Sequence, residues 1–268
     1  MAENGNIGDY LRDLGVPNLP PSVMPFDPGY DVATVAGHLE QSHQFMDGLK
    51  LSMATWMIAT PESTSQKIKA VRSFGVVPVA GGGPFEIASS SGLLERYLDL
   101  CAEVGFGRIE AASGFTDARP DPASTVAEAR SRDLDVQFEL GRKHEGPLDR
   151  ASLEAAIDVG RSWLEAGASS VVVEARESAQ NVGVFSADGS LQKNLADRLS
   201  DDIGLEHLLF EAPDKRSQFA LLEHFGPAVR LGNVRLEEVL RVEIYRRGLH
   251  SDSFSNPKLR PSPAEGGR

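Results

Sequence analysis

Apolar residues follow two rhythms along this chain. Short runs rich in Val, Leu, Ile, Phe and Ala occupy 22–26, 46–52, 76–80, 108–112, 134–140, 170–175, 207–211 and 228–233. Their length and β-branched content predict buried strands. Between them, 31–45 and 149–166 carry apolar residues three and four apart, which predicts amphipathic helices. Gly75, Gly105, Gly167 and Gly226 each close a segment just before the next run. That placement is the helix C-cap signal, where the chain must turn through left-handed backbone. A strand with its returning helix needs about 30 residues, which is roughly the spacing of the runs. Eight such units in one domain of about 250 residues predict a single (β/α)8 TIM barrel. An open doubly wound sheet is the alternative. It would more often have fewer strands and a glycine-rich first turn, and no such turn follows the first run.

Residues 1–21 are rich in Gly, Asn, Asp and Pro and read as an arm. Residues 255–268 are polar and rich in Pro and Gly, and read as a disordered tail. No linker interrupts the span between, so 22–254 is expected to be one barrel domain. With 268 residues, 41% apolar and 25% charged, the chain can bury a large core without disulfides or metals as staples. The lone cysteine, Cys101, excludes an intramolecular disulfide and fits a reducing, cytoplasmic setting. No apolar run reaches membrane-spanning length, and residues 1–10 lack the basic and apolar regions of a secretory signal. The net charge of −12 disfavours nucleic acid and anionic membranes as partners. A small anionic substrate remains open, because a few basic residues focused in a cleft overcome a negative surface. Arg241, Arg246 and Arg247 near the C-terminus read as a solvated face, a contact in a homo-oligomer, or part of the barrel rim.

Six runs carry a polar residue near the end: Lys50, Glu110, Glu139, Glu174, Glu211 and Asn233. Strand ends are where β/α barrels place their chemistry. A buried carboxylate needs water, a cation or a partner. For any one of these residues a structural ion pair competes with a functional role. Six at corresponding positions argue for a site. Arg142 and Lys143 follow Glu139, Arg176 follows Glu174 and Lys215 follows Glu211. Each is a candidate anion-binding cation, with a solvated loop charge as the plainer reading. Gly81 and Gly82 permit close backbone approach to an anion, or simply a tight turn. The stretch 176–189 exceeds a minimal loop and is either a lid or a plain excursion. The six histidines show no metal-ligand spacing, and Cys101 and Trp163 fit a packed core.

Several of these segments carry a resemblance. They are Val173-Glu-Ala-Arg-Glu-Ser178 with Gly183-Val-Phe185, and Phe210-Glu-Ala-Pro213 with Lys215 and Gln218. With them stand Gly81-Gly82 with Phe85-Glu86, Glu139-Leu-Gly-Arg-Lys143, and 238–254 with Glu243, Arg246-Arg247-Gly248-Leu249 and Asp252. Together, over 23–254, the chain resembles the phosphosulfolactate synthase family, coenzyme M biosynthesis enzymes that add sulfite to phosphoenolpyruvate. Plant heat-stress-associated proteins resemble this family too. The resemblance implies a (β/α)8 fold and Mg²⁺. It implies that sulfite attacks the methylene carbon, that the resulting enediolate is stabilised electrostatically, and that a general acid protonates C2. Carried over by position, Lys143 is the acid, with Glu139 beside it in the catalytic set. Lys50, Gly81, Gly82, Arg142, Arg176, Lys215 and Asn233 would bind the phosphorylated substrate. Glu110, Glu139, Glu174 and Glu211 would hold Mg²⁺ directly or through water.

The chain also departs from the family pattern. Asp27-Pro28-Gly29 stands for Asp-Lys-Gly, so one cation is missing. Leu51-Ser-Met-Ala-Thr55 stands for Phe-Gly-Trp-Gly-Thr, Ser113-Gly114 for Asp-Gly, and Ala175 for Gly. These changes fall at the ends of strands 1, 2, 4 and 6. Three readings follow: the sulfite-adding lyase, an enzyme on the same scaffold with another nucleophile or phosphorylated acceptor, and a non-catalytic stress-related protein.

Overall fold

The computed structural model describes residues 6–141 and 146–260. Eight strands, all parallel, close into a barrel in sequence order: β1 (Val23–Asp27), β2 (Leu49–Leu51), β3 (Pro78–Ala80), β4 (Arg108–Ala112), β5 (Asp135–Leu140), β6 (Ser170–Val173), β7 (Leu208–Glu211) and β8 (Arg230–Arg235). The helices are α1 (Ile7–Asp13), α2 (Val32–Ser42), α3 (Thr55–Ile58), α4 (Pro61–Ser73), α5 (Gly82–Ser90), α6 (Leu94–Val104), α7 (Pro122–Arg130), α8 (Arg150–Ala166), α9 (Lys193–Ile203), α10 (Lys215–Phe225) and α11 (Val239–Arg246). The expected TIM barrel is therefore present, and each predicted run overlaps one strand, with β1 and β8 extending past the predicted ends by one and two residues. None of the described helices is long and apolar enough to cross a membrane.

Local chemistry starts and stops the helices. Asp149 and Asp214 form capping boxes with Ser152 and Ser217, and Pro61 and Pro122 open their helices. Gly105 and Gly167 end α6 and α8 in left-handed backbone. Inside the barrel a small layer of Met24, Val79, Val172 and Leu209 plugs the interior. Outward strand residues pack with the helices in one large core, where Phe138 stacks on Trp163 at 4.5 Å.

One irregularity shapes the site. Met24 pairs with Gly232 but Pro25 pairs with Val234, so Asn233 is an extra residue in β8. This is a β-bulge, and Asn233 takes a left-handed φ of 50° to make it. Gly232 faces the interior, since a Cβ there would meet Leu209 Cδ2 at 3.2 Å. Strict alternation would turn Asn233 outward and Val234 inward. The bulge reverses this. Asn233 reaches Glu211 inside the barrel, Val234 packs into the outer core, and Arg235 lines the mouth.

The two ends of the chain differ from expectation. The arm contains the exposed helix α1, and the chain after it is tied to the barrel through its carbonyls. Arg246 donates to Pro20 O, Arg247 to Pro17 O and Arg260 to Leu14 O. The arginine cluster is therefore a strap in large part. Arg246 is fully buried, bonded to Glu243 and Pro227 O. The expected disorder of the tail does not extend to 255–260. Leu259 there is completely buried in the core, and Lys258 donates to His224 O. The rest of the tail, 261–268, lies outside the described residues.

Candidate active site

A cavity of about 650 Å³ opens at the C-terminal ends of the strands. Side chains from β2, β4, β5 and β7, with Glu174 just after β6, form its floor: Lys50, Glu110, Glu139, Glu174 and Glu211. All five are buried. The Lys50 ammonium lies between two carboxylates, 3.2 Å from Glu110 Oε1 and 3.0 Å from Glu211 Oε1. Burial opposes its charge, but the fields of Glu110, Glu211 and Glu139 outweigh this and raise its pKa. Lys50 thus stays protonated, and its charge is spent within the protein. Where the sequence suggested a grip on substrate, the structure shows Lys50 paired with two carboxylates of the floor.

Glu110 is bonded on both oxygens. Oε1 accepts from Gly82 N at 3.1 Å, and Oε2 accepts from Gln137 Nε2 at 2.7 Å. The Gly82 N–H, a candidate anion donor, is therefore used internally. The glycines are needed for close approach. A Cβ at Gly82 would lie 2.9 Å from Ala112 Cβ, and one at Gly81 3.2 Å from Leu51 O. Glu211 accepts from Ala175 N at 2.9 Å and from Asn233 Nδ2, and it also hydrogen-bonds Glu174. Burial would raise the Glu211 pKa, but Lys50 and these hydrogen bonds bring it below the usual carboxylate value. Two carboxyls this close repel when both are ionised, and a cation between them would relieve that repulsion.

Glu174 also shapes the rim. Its Oε1 accepts from Arg176 N at 2.6 Å, and Arg176 adopts a left-handed φ of 57°. Gly141 and Gly183 leave room for it: a Cβ at Gly141 would lie 2.8 Å from Glu174 Cβ, and one at Gly183 2.3 Å from Glu174 O. Arg176 is exposed and lines the mouth on the β6 side. The stretch 176–189 is a packed excursion, with Val182, Val184 and Phe185 buried and Phe185 bridged to Val182 and Leu191. Lys215 does not join the site. It begins α10, is exposed, and its ammonium lies over the Phe219 ring at 5.1 Å. Arg142 and Lys143 lie outside the described residues, just past the end of β5.

Among the described residues the floor has the donor chemistry of a hard-cation site: four carboxylates against one ammonium, with one carboxyl–carboxyl contact. It is not a preformed cage, since among the described residues no three acids or histidines are gathered in metal-holding geometry. Mg²⁺ suits such a place, because it uses one or two carboxylates and keeps several waters or substrate oxygens.

A barrel with this acidic floor and an arginine at its rim can be set beside known proteins. Residues 22–252 match the family profile described as (2R)-phospho-3-sulfolactate synthase (ComA). The chain belongs to the phosphosulfolactate synthase family. It is 30% identical over 257 residues to the phosphosulfolactate synthase of Methanothermobacter thermautotrophicus, covering 95% of this chain and 100% of that protein. It is 29% identical over 229 residues to that of Methanocaldococcus jannaschii, covering 85% and 91%. The HEAT-STRESS-ASSOCIATED 32 protein of Arabidopsis thaliana is 22% identical over 215 residues, covering 72% of this chain and 73% of that one.

Four residues that shape the site of this phosphosulfolactate synthase family member receive no site role from the sequence. Gln137 is wholly buried and positions Glu110. Asp27 receives Lys67 Nζ at 2.6 Å, so a buried lysine from α4 neutralises it from behind the barrel wall. The same Asp27 carboxylate accepts from Gly29 N and Tyr30 N, shaping the loop that carries Pro28. Glu86 accepts from Phe115 N and Thr116 N, which fixes the loop after β4. The fourth, Arg235, lines the mouth. The inward period-two positions flag Gln137, two residues before Glu139. Nothing in the sequence flags the β8 bulge.

Proposed function

We propose that the protein is a Mg²⁺-dependent lyase that adds sulfite to the methylene carbon of phosphoenolpyruvate. The observation that carries this reading is the buried floor of Glu110, Glu139, Glu174 and Glu211 around Lys50, at the catalytic end of a phosphosulfolactate synthase family barrel. Addition forms a C–S bond at the methylene carbon. The π electrons of the alkene pass to the carboxylate as an enediolate, and C2 then takes a proton. The phosphate ester is untouched. Stabilising the enediolate is the main electrostatic task.

The chain's own residues divide this work. Glu174 and Glu211, with Glu139 adjacent, are the groups to hold Mg²⁺, directly or through water. Bound there, the ion would supply Lewis-acid stabilisation of the charge developing on the substrate carboxylate. Lys50 pairs with Glu110 and Glu211, favours the ionised form of Glu211, and adds fixed positive potential to the floor. Asn233 holds the Glu211 carboxylate in place. Arg176 attracts an anionic substrate group at the rim. Lys143, three residues after the last residue of β5 in the sequence, is the proton donor to C2, and Glu139 lies near the end of β5.

Sulfite consumption that depends on phosphoenolpyruvate tests this reading. The wild-type protein should consume sulfite with Mg²⁺ and stop on chelation. Lys143→Ala should lose at least about 100-fold in rate, the scale of a positioned general acid, while retaining native circular dichroism. Unchanged kinetics in that variant would remove Lys143 from the mechanism. A second reading, with another nucleophile, is favoured by one observation. Met53, in the departing stretch after Lys50, has a left-handed φ of 52° and lines the mouth 58% exposed. Consumption of phosphoenolpyruvate with a different nucleophile, and none with sulfite, would favour it.

A further inference from the structure

Two described arginines line the cavity mouth, on different sides of the barrel: Arg176 follows β6, and Arg235 ends β8. Arg235 pairs across the strand with Phe26, two residues before Pro28, and all three line the cavity. The β8 bulge is what aims it inward, because an unbulged strand would turn position 235 toward the helices. A bulge next to a site re-aims a side chain at the cost of one unpaired residue, here Asn233 in left-handed backbone. Tyr30 and Glu237 lie beside Arg235. Tyr30 donates to Glu237 Oε2 at 2.8 Å, and that carboxylate lies near enough to Arg235 for their charges to interact. The head group remains exposed at the mouth.

The cavity also sets what this arginine can meet. Its floor is acidic and suited to a cation with a carboxylate upon it, so a second anionic group of the same substrate must point away from the floor. The rim after strands 7 and 8 is where β/α barrels frequently seat a phosphoryl group. A guanidinium fork matches phosphate oxygens in a bidentate manner. We infer that Arg235 is the residue that recognises the phosphoryl group of the substrate, on the β8–β1 side of the mouth where Pro28 leaves no charge. The inference rests on the phosphorylated-substrate reading above for its ligand. Its own content is the residue, its side of the mouth, and the phosphoryl group as its target.

Calorimetry on the full chain with Mg²⁺ tests it, using 2-phosphoglycolate and malonate as probes. Arg235→Met should weaken phosphoglycolate binding by about 10- to 100-fold, the range for one charge-assisted contact. Malonate, which lacks a phosphoryl group, should change by less than about twofold. Arg235→Lys, which keeps the charge but loses the fork, should fall between. Equal phosphoglycolate affinity in wild type and Arg235→Met overturns the inference. Equal weakening of both probes also overturns it, because that is a loss of general charge. In turnover, Arg235→Met should raise KM for phosphoenolpyruvate and leave KM for sulfite unchanged. If phosphoglycolate behaves as expected while the wild type makes no sulfonate, the sulfite reading fails and the assignment of Arg235 stands.

Discussion

Replacing Lys50 by Met removes the ammonium that, among the described residues, sits between the floor's carboxylates. Its nitrogen sits 3.0 Å from Glu211 Oε1 and 3.2 Å from Glu110 Oε1. At an effective dielectric near 20, each contact is worth about 5 kcal/mol before desolvation is subtracted. Breaking a buried pair by deleting one partner costs a net of about 3–5 kcal/mol, because the other charge stays behind. At about 2–4 °C per kcal/mol for a chain of this size, Lys50→Met should melt about 6–20 °C below wild type at pH 8. The sign of the pH effect follows from Glu211. Its folded pKa is lowered, so its stabilisation is present above the unfolded carboxyl pKa and lost as pH falls through the folded value. Without the ammonium, burial raises the folded pKa of Glu211, and that group then opposes folding above its unfolded pKa. The deficit should therefore be largest near pH 8 and shrink toward pH 5. Urea unfolding at the two pH values, without added metal, reads it directly. A deficit below about 1 kcal/mol at pH 8, far under the range for a broken buried pair, would refute the reasoning. So would a deficit equal at both pH values.

Other consequences follow from the same geometry. Gly82→Ala places a Cβ 2.9 Å from Ala112 Cβ, and urea unfolding should show a loss of about 1–3 kcal/mol. A gain, as for an unobstructed helical glycine, would contradict the close approach. Asp27→Ala strands Lys67 in the wall between α4 and β1 and should cost about 3–5 kcal/mol. Lys67→Met in the same background should recover part of that loss, and no recovery would separate the two residues. Burial pushes the Cys101 thiol up to about 12. The native protein should therefore resist thiol reagents at pH 8 and react only in denaturant, and rapid labelling of the folded chain would contradict this.

The barrel was legible because its signals are local. Eight apolar runs, and glycines such as Gly105 and Gly167 placed before the next run, depend on nearest neighbours in sequence. The six strand-end residues were legible for a related reason: the end of a parallel strand is a fixed place in this architecture. Their pairing was not legible. Lys50 meets Glu110 and Glu211 from 60 and 161 residues away, so its charge read as available to a ligand when the fold had already engaged it. Gly82 likewise gives its N–H to Glu110. Lys215 follows a strand as an active-site cation would, but the Asp214 capping box starts α10 at once and its side chain settles over Phe219. Arg235 lies beyond the predicted end of its strand, and one bulged residue, Asn233, turns it inward. Arg246 and Leu259 look like surface and tail in sequence. Both are buried by contacts with segments at the other end of the chain or across α10.

Phosphorus NMR of the purified chain with Mg²⁺, phosphoenolpyruvate and sulfite tests the central claim most directly. The account predicts a new phosphate-ester resonance that needs sulfite, disappears with chelation and is absent with Lys143→Ala. Phosphoenolpyruvate that remains unchanged by the wild-type protein under these conditions, with sulfite and Mg²⁺ both present, would contradict it.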